Sequence, residues 1–338
     1  MAIRWLFIFS LFPLSAFAAT PTTVPSTLPS QITVAADGSG MFRTVQAAVD
    51  AMPLYPHRTY TIHIAPGTYS EQITIPRLKF GLNFVGDDPA TTILTFALGA
   101  PMPGPDGKPM GTFATPSVRI LADDFSAQNL TIQNTFGPHG QALAIEIAGD
   151  RIAFDNCRFL GWQDTMFADS NGRNYFHNCY IEGHVDFIFG RSTAVFDACE
   201  IRSKDKGYLT AASTQQLTPF GYVFVHCKLT ADPKVKDASV YLGRPWRPFG
   251  ATAFIDCQMG PQIRPEGWFN WKNRENEKTA RYAEYGNTGP GAVTSKRVPW
   301  AHQLTDSEAA RYDIAKILAG SDGWTPPFFS AQPAAQRQ

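Results

Sequence analysis

The sequence predicts an all-β solenoid, a parallel β-helix closed by short terminal helices, on three observations. Phe stands three residues before Cys five times, at Phe154/Cys157, Phe176/Cys179, Phe196/Cys199, Phe224/Cys227 and Phe254/Cys257. The cysteines are spaced by 22, 20, 28 and 30 residues, about one coil of a solenoid built from short strands. Helical periodicity is absent from 54 to 270; alternating apolar runs bounded by Gly or Asn (Leu130 and Ile132; Ile152 and Phe154; Val223 and Val225) read instead as strands. A β-sandwich, with turns every 8 to 12 residues or so, leaves Phe-x-x-Cys at whole-coil spacing unexplained.

Residues 1–18 carry Arg4, an apolar run from Trp5 to Leu14, and Ala16-Phe17-Ala18, the small-x-small pattern of an export signal. That run is too short to cross a bilayer, which takes about 20 residues. The Thr/Pro/Ser stretch Thr20–Ser30 reads as a flexible lead-in over 19–31, followed by a single domain over 32–325 and a tail over 326–338. Thr44–Met52 is expected to form a helix that caps the N-terminal end of the solenoid. The Pro/Gly-rich stretch Gly99–Gly111 reads as a long surface loop of the kind that walls a groove. The 22-residue period extends backward, with Ile132, Gln133, Asn134 and Thr135 in the places of Phe154, Asp155, Asn156 and Cys157; Asn134, Asn156 and Asn178 would then form a column. Thr305 and Glu308 make a capping box ahead of a helix expected to run through Leu318 and stop at Gly320.

The chain has 338 residues, 44% hydrophobic and 17% charged, which excludes a disordered or collagen-like polymer. Lys plus Arg number 29 and Asp plus Glu number 29, so no net charge drives binding to nucleic acid or an anionic membrane, and neither is an expected partner. Export permits disulfides, but five cysteines leave at least one thiol free. A Cys179–Cys199 bridge and a stack of buried free thiols both fit the spacing.

The repeat register makes a chemical statement. Asp164 and Asp186 each lie seven residues after their cysteines, Cys157 and Cys179, and therefore on adjacent coils, about 4.8 Å apart. Like charges that close raise the pKa of one partner. Gln163 lies six residues past Cys157 and Gln141 six past Thr135, so two amides share the neighbouring column. Two carboxylates and two amide donors on one face suit acyl transfer or ester hydrolysis; the carboxylates alone would also suit a glycosidase.

These residues lie in segments that resemble the pectin methylesterases (carbohydrate esterase family 8): GTYSE (Gly67 to Glu71), QALAI (Gln141 to Ile145), GWQDTMF (Gly161 to Phe167), VDFIFG (Val185 to Gly190), YLGRPW (Tyr241 to Trp246) and YAEYGNTGPGA (Tyr282 to Ala292). The resemblance runs from about Ile32 to Trp300 and implies a right-handed parallel β-helix. Carried over residue by residue, it makes Asp186 the nucleophile, Asp164 the general acid and then base, Gln163 and Gln141 the oxyanion donors, and Arg244 the residue that holds Asp186. It makes Trp246, Phe189 and Thr112 substrate contacts. The implied substrate is methyl-esterified homogalacturonan, with no metal, no cofactor, and a monomeric enzyme outside the cytoplasm, extracellular or periplasmic. Met166 stands where the family usually has Leu, and His184 where it more often has a small hydroxyl residue. A lyase or polygalacturonase on the same fold, or a solenoid that binds polysaccharide without turnover, are the alternatives.

Overall fold

The computed structural model describes residues 28–330; the expected export signal, most of the lead-in and the last eight residues of the tail lie outside them. Short strands stack coil upon coil in parallel register. Eleven of them form one sheet, from Gln31–Val34 at one end to His302–Gln303 at the other. The remaining thirteen hydrogen-bond as a second surface folded along a corner. Two long strands, Tyr180–Gly190 and Glu200–Ala212, pass through that corner and join its two faces. Each coil therefore has three faces, called here the first, second and third sheets, and the apolar side of each turns inward to one continuous core.

The Phe-x-x-Cys repeat is the spine of this core. Phe154, Phe176, Phe196, Phe224 and Phe254 stack along the first sheet with ring centres 5.1, 4.7, 4.5 and 4.5 Å apart and planes within about 10°. In the next coil Glu284 takes the place of Phe254; buried, it accepts hydrogen bonds from Arg297 and from the Trp268 indole. All five cysteines are buried free thiols, so the stack of thiols, not a bridge, is what forms.

Between Phe and Cys, at the corner joining the first and second sheets, one residue per coil takes a left-handed conformation. Asn129, Asn156, Asn178, Ala198, His226, Asp256 and Gly286 have φ between 47° and 63°. The amides of Asn156 and Asn178 bond to carbonyls of the following coil, His177 O and Asp197 O, at 3.1 and 3.0 Å. Asn tolerates this region better than most residues. The asparagine column therefore exists, but its first member is Asn129, not Asn134: Gln128 pairs with Asp155, and Asn156 Nδ2 donates to Asn129 Oδ1 at 2.9 Å. The coil between these asparagines is 27 residues long, lengthened by the turn after Asn134, so a fixed step of 22 lands five residues late. Asn134 has another task. Its buried amide donates to Leu98 O, Thr115 O and Leu143 O, pinning the ends of three loops.

The N-terminal helix forms as Val45–Ala51, with Thr44 as N-cap and Val45, Ala48 and Val49 buried. Glu71, the last residue of GTYSE, accepts from the amides of Val45 and Gln46, which gives that segment a structural role. At the other end the capping box of Thr305 and Glu308 is present, but the expected single helix is two. Asp306–Ala309 ends after one turn, and Ile314–Ala319 starts anew with Asp313 as its own cap. Leu304, Tyr312, Ile317, Leu318 and Phe329 cover the outer face of the first sheet.

Candidate active site

Asp164 and Asp186 sit at the corner where the second sheet turns into the third, and both are left-handed, with φ of 65° and 51°. The Asp164 amide donates to Val185 O at 3.1 Å, which sets the two aspartates side by side on adjacent coils. Gln141 and Gln163 pair as a parallel bridge one residue before the corner, so the two amides do share a column. Gln141 Nε2 donates to Asp164 Oδ2 at 2.9 Å.

Arg244 comes from two coils further on. Its strand, Val240–Gly243, runs beside Gly207–Thr210, and a Cβ at Gly243 would meet Thr210 Oγ1 at 2.1 Å, so glycine lets the two backbones close. Arg244 then reaches back and forks onto Asp186, Nε to Oδ1 at 2.9 Å and Nη2 to Oδ2 at 2.6 Å. The two carboxylates are thus 4% and 7% exposed in environments that differ by one cation. Burial, and then the Asp186 charge, push the Asp164 carboxyl up to about 8. Burial also raises Asp186, but there Arg244 opposes it through hydrogen bonds and charge. One carboxyl can hold a proton at neutral pH beside another whose ionised form is gripped.

The rest of the expected set divides. Phe189 stacks on Phe167 at 4.6 Å, and Trp246 meets both rings edge-on, forming an aromatic floor beside the carboxylates. Phe189 is nearly buried, so it shapes that floor more than it offers a free face. Thr112 opens a short 3-10 turn after the Pro/Gly loop; its neighbour Phe113, half exposed, packs on Phe167 at 5.0 Å. That brings Thr112 to the rim, without a bond to either aspartate. His184 is half-buried against Trp162, burial lowers its pKa, and its Nδ1 has no partner. Sequence reasoning missed Phe167, Phe113, Tyr208 and Trp271. Phe167 lay in plain view inside GWQDTMF, whereas Tyr208 and Trp271 lie in segments with no signal of their own.

A parallel β-helix bearing a paired, unequal carboxylate site with adjacent amides has the groups a carboxylic ester hydrolase needs, and the family it matches places the chain in that class. The Pectinesterase family profile matches residues 31–321, and the chain belongs to that family. It is 42% identical over 290 residues to pectinesterase 31 of Arabidopsis thaliana, an alignment covering 83% of this chain and 90% of the relative. It spans about half the length of some other plant relatives, such as a probable pectinesterase/pectinesterase inhibitor. Among solved structures, pectin methylesterase from carrot superposes with a TM-score of 0.80 at 34% identity, covering 88% of this chain and 95% of that one. A pectin methylesterase in complex with a hexasaccharide superposes at 0.77 with 30% identity, covering 88% and 98%.

Proposed function

We propose that this chain hydrolyses the C6 methyl esters of galacturonate in pectin through an aspartyl acyl-enzyme. The observation that carries the reading is the asymmetry of two buried carboxyls one coil apart, one forked by Arg244 and the other protonated at neutral pH. Asp186 attacks the ester carbonyl carbon, and the oxyanion accepts hydrogen bonds from the Gln163 and Gln141 amides. The tetrahedral species collapses, the bond to the methoxy oxygen breaks, and Asp164 gives that oxygen its proton, releasing methanol. Asp164, now a carboxylate, takes a proton from water as the water oxygen attacks the acyl carbon. Collapse frees the galacturonic acid, which gives its proton to solvent, returns Asp186 as a carboxylate, and leaves Asp164 protonated again.

Trp246, with Phe167 and Phe189 behind it, would take the sugar ring, and Thr112 and Phe113 would bound it from the loop side. The hexasaccharide bound by the structural relative fits an extended polymer lying along the aromatic floor of the third sheet. The reading treats 32–325 as one esterase domain and residues 1–18 as an export signal cleaved after Ala18. Among the described residues no helix is long and apolar enough to cross a membrane.

The test is methanol release from highly methylated pectin by the purified chain, beside Asp186→Asn. The expected result is turnover by the parent and none by the variant, with pectin binding kept, because the amide preserves shape but not nucleophilicity. Unsaturated chain ends would mean a lyase, and new reducing ends a polygalacturonase.

A further inference from the structure

Arg244 is held by more than its bonds to Asp186. The carbon of its guanidinium lies 3.8 Å from the centre of the Tyr208 ring and 3.7 Å from that of Trp271. Tyr208 is in turn backed by Tyr241, ring centres 5.3 Å apart and planes within 8°, and Phe269 tilts against both tyrosines at 5.7 and 5.4 Å. The Arg264 guanidinium lies 4.7 Å from the Tyr241 ring. The register explains the backing: Val185, Tyr208 and Tyr241 occupy one column on successive coils, beginning one residue before Asp186.

Trp271 reaches Arg244 from a turn that is costly to make. Trp271 and Lys272 are both left-handed, with φ of 59° and 58°, a conformation that bulky residues avoid and that survives only where neighbours over-determine it. Here they do. Asn270 Oδ1 accepts from the Lys272 amide at 2.9 Å, Asn270 Nδ2 donates to Glu277, and buried Asn276 donates to the Asn270 carbonyl. The strained turn sets an indole against a guanidinium.

A guanidinium bonds a carboxylate with two parallel N–H groups only while its plane contains the carboxylate oxygens. Four flexible torsions in the Arg side chain work against that plane; flat rings against the guanidinium restrict it and keep water from its faces.

We propose that Tyr208 and Trp271 are positioning residues, which fix the plane of Arg244 so that both of its N–H groups face Asp186. The inference rests on the reading of Asp186 as nucleophile. The charged or titratable groups that face Asp186 are Arg244, Asp164, His184 and the buried phenol of Tyr282. Of these, Arg244 favours ionisation of Asp186 most, through both hydrogen bonds and charge, with His184 adding a smaller pull in the same direction.

The experiment is the pH profile of kcat/KM on methylated pectin for Trp271→Ala and Tyr208→Ala, with turnover corrected for folded fraction by melting curves. The acidic limb reports ionisation of the nucleophile in the free enzyme. Each variant should lower kcat at least tenfold and move that limb to higher pH by about one unit, a tenfold change in the ionisation constant. Trp271→Phe and Tyr208→Phe, which keep a ring against Arg244, should restore both. Should an alanine variant fail to fold, Tyr208→Leu against Tyr208→Phe asks the same question at similar volume. A raised KM with kcat and the acidic limb unmoved would make Trp271 a wall of the substrate groove and overturn the proposal, as would unchanged turnover per folded molecule. Failure of the nucleophile reading shows separately, as turnover retained by Asp186→Asn.

Discussion

Two corners of the same coil use one backbone device for opposite ends. Where the first sheet meets the second, left-handed residues close each turn by bonding the next coil, and their side chains reach solvent: Asn178, Ala198, His226 and Asp256 are all exposed. Where the second sheet meets the third, left-handed Asp164 and Asp186 have nearly buried side chains and little to gain for stability. The first corner recurs in every coil from Asn129 to Gly286; the second carries its carboxylates on two adjacent coils. A solenoid thus lets one coil differ from its neighbours at a single corner while the other corner keeps the stack in register.

Substitutions at the second corner should separate activity from stability most widely. Asp164→Asn is expected to lower turnover by several orders of magnitude, since it removes both the leaving-group proton and the base for the second step. It should also stabilise the fold. The folded-state pKa of Asp164 is raised, so its contribution is fully present below the unfolded value and is lost as pH rises toward about 8. Asp164→Asn should therefore gain about 2–4 kcal/mol near pH 8 and almost nothing near pH 4, read from denaturant midpoints at the two pH values. An equal gain at both would mean that burial of the charge is not what Asp164 costs the protein.

Gln163→Ala should lower turnover by about 10²–10³, the usual effect of losing one oxyanion donor, and Gln141→Ala should fall in the same range. Gln141 also donates to the Asp164 carboxyl, which favours its ionised form. Its loss should move the basic limb of the pH profile upward, a shift that Gln163→Ala should lack. Lowered melting temperature with turnover per folded molecule intact would reduce both amides to structural pairing along their column.

At the first corner the effects should be small and confined to stability. Asn156→Ala removes the amide bond to Asn129 and leaves a left-handed alanine, at a cost of about 1–2 kcal/mol with turnover unchanged. Ala198→Gly should stabilise by about 0.5–1 kcal/mol, relieving a left-handed alanine at the price of some chain entropy. A change in turnover from either would show that the two corners are coupled through the coil.

The same contrast decides what was legible in the sequence. Phe154 through Phe254, with their cysteines, repeat because every coil must stack on the last, and repetition is visible without a structure. Asp164, Asp186 and Gln163 were legible for the same reason, as positions counted from that repeat. Gln141 was counted from Thr135, which is not the partner of Cys157, and still falls beside Gln163 because the extra residues of its coil lie before it. Asn129 was missed because loop length between coils is free, and a longer turn breaks any fixed count. The two-helix C-terminus was missed because Asp313 starts a second cap inside what reads as one apolar pattern. Tyr208 and Trp271 were invisible because their partner, Arg244, is brought to them only by the winding of later coils.

The cysteine ladder has a consequence for how this chain can be made. With all five thiols buried and unbridged, the native state contains no covalent link that depends on an oxidant. Folding then asks nothing of disulfide isomerases. The finished enzyme should be indifferent to reductants such as dithiothreitol, and a reducing bacterial cytosol should suffice as a production host for residues 19–338.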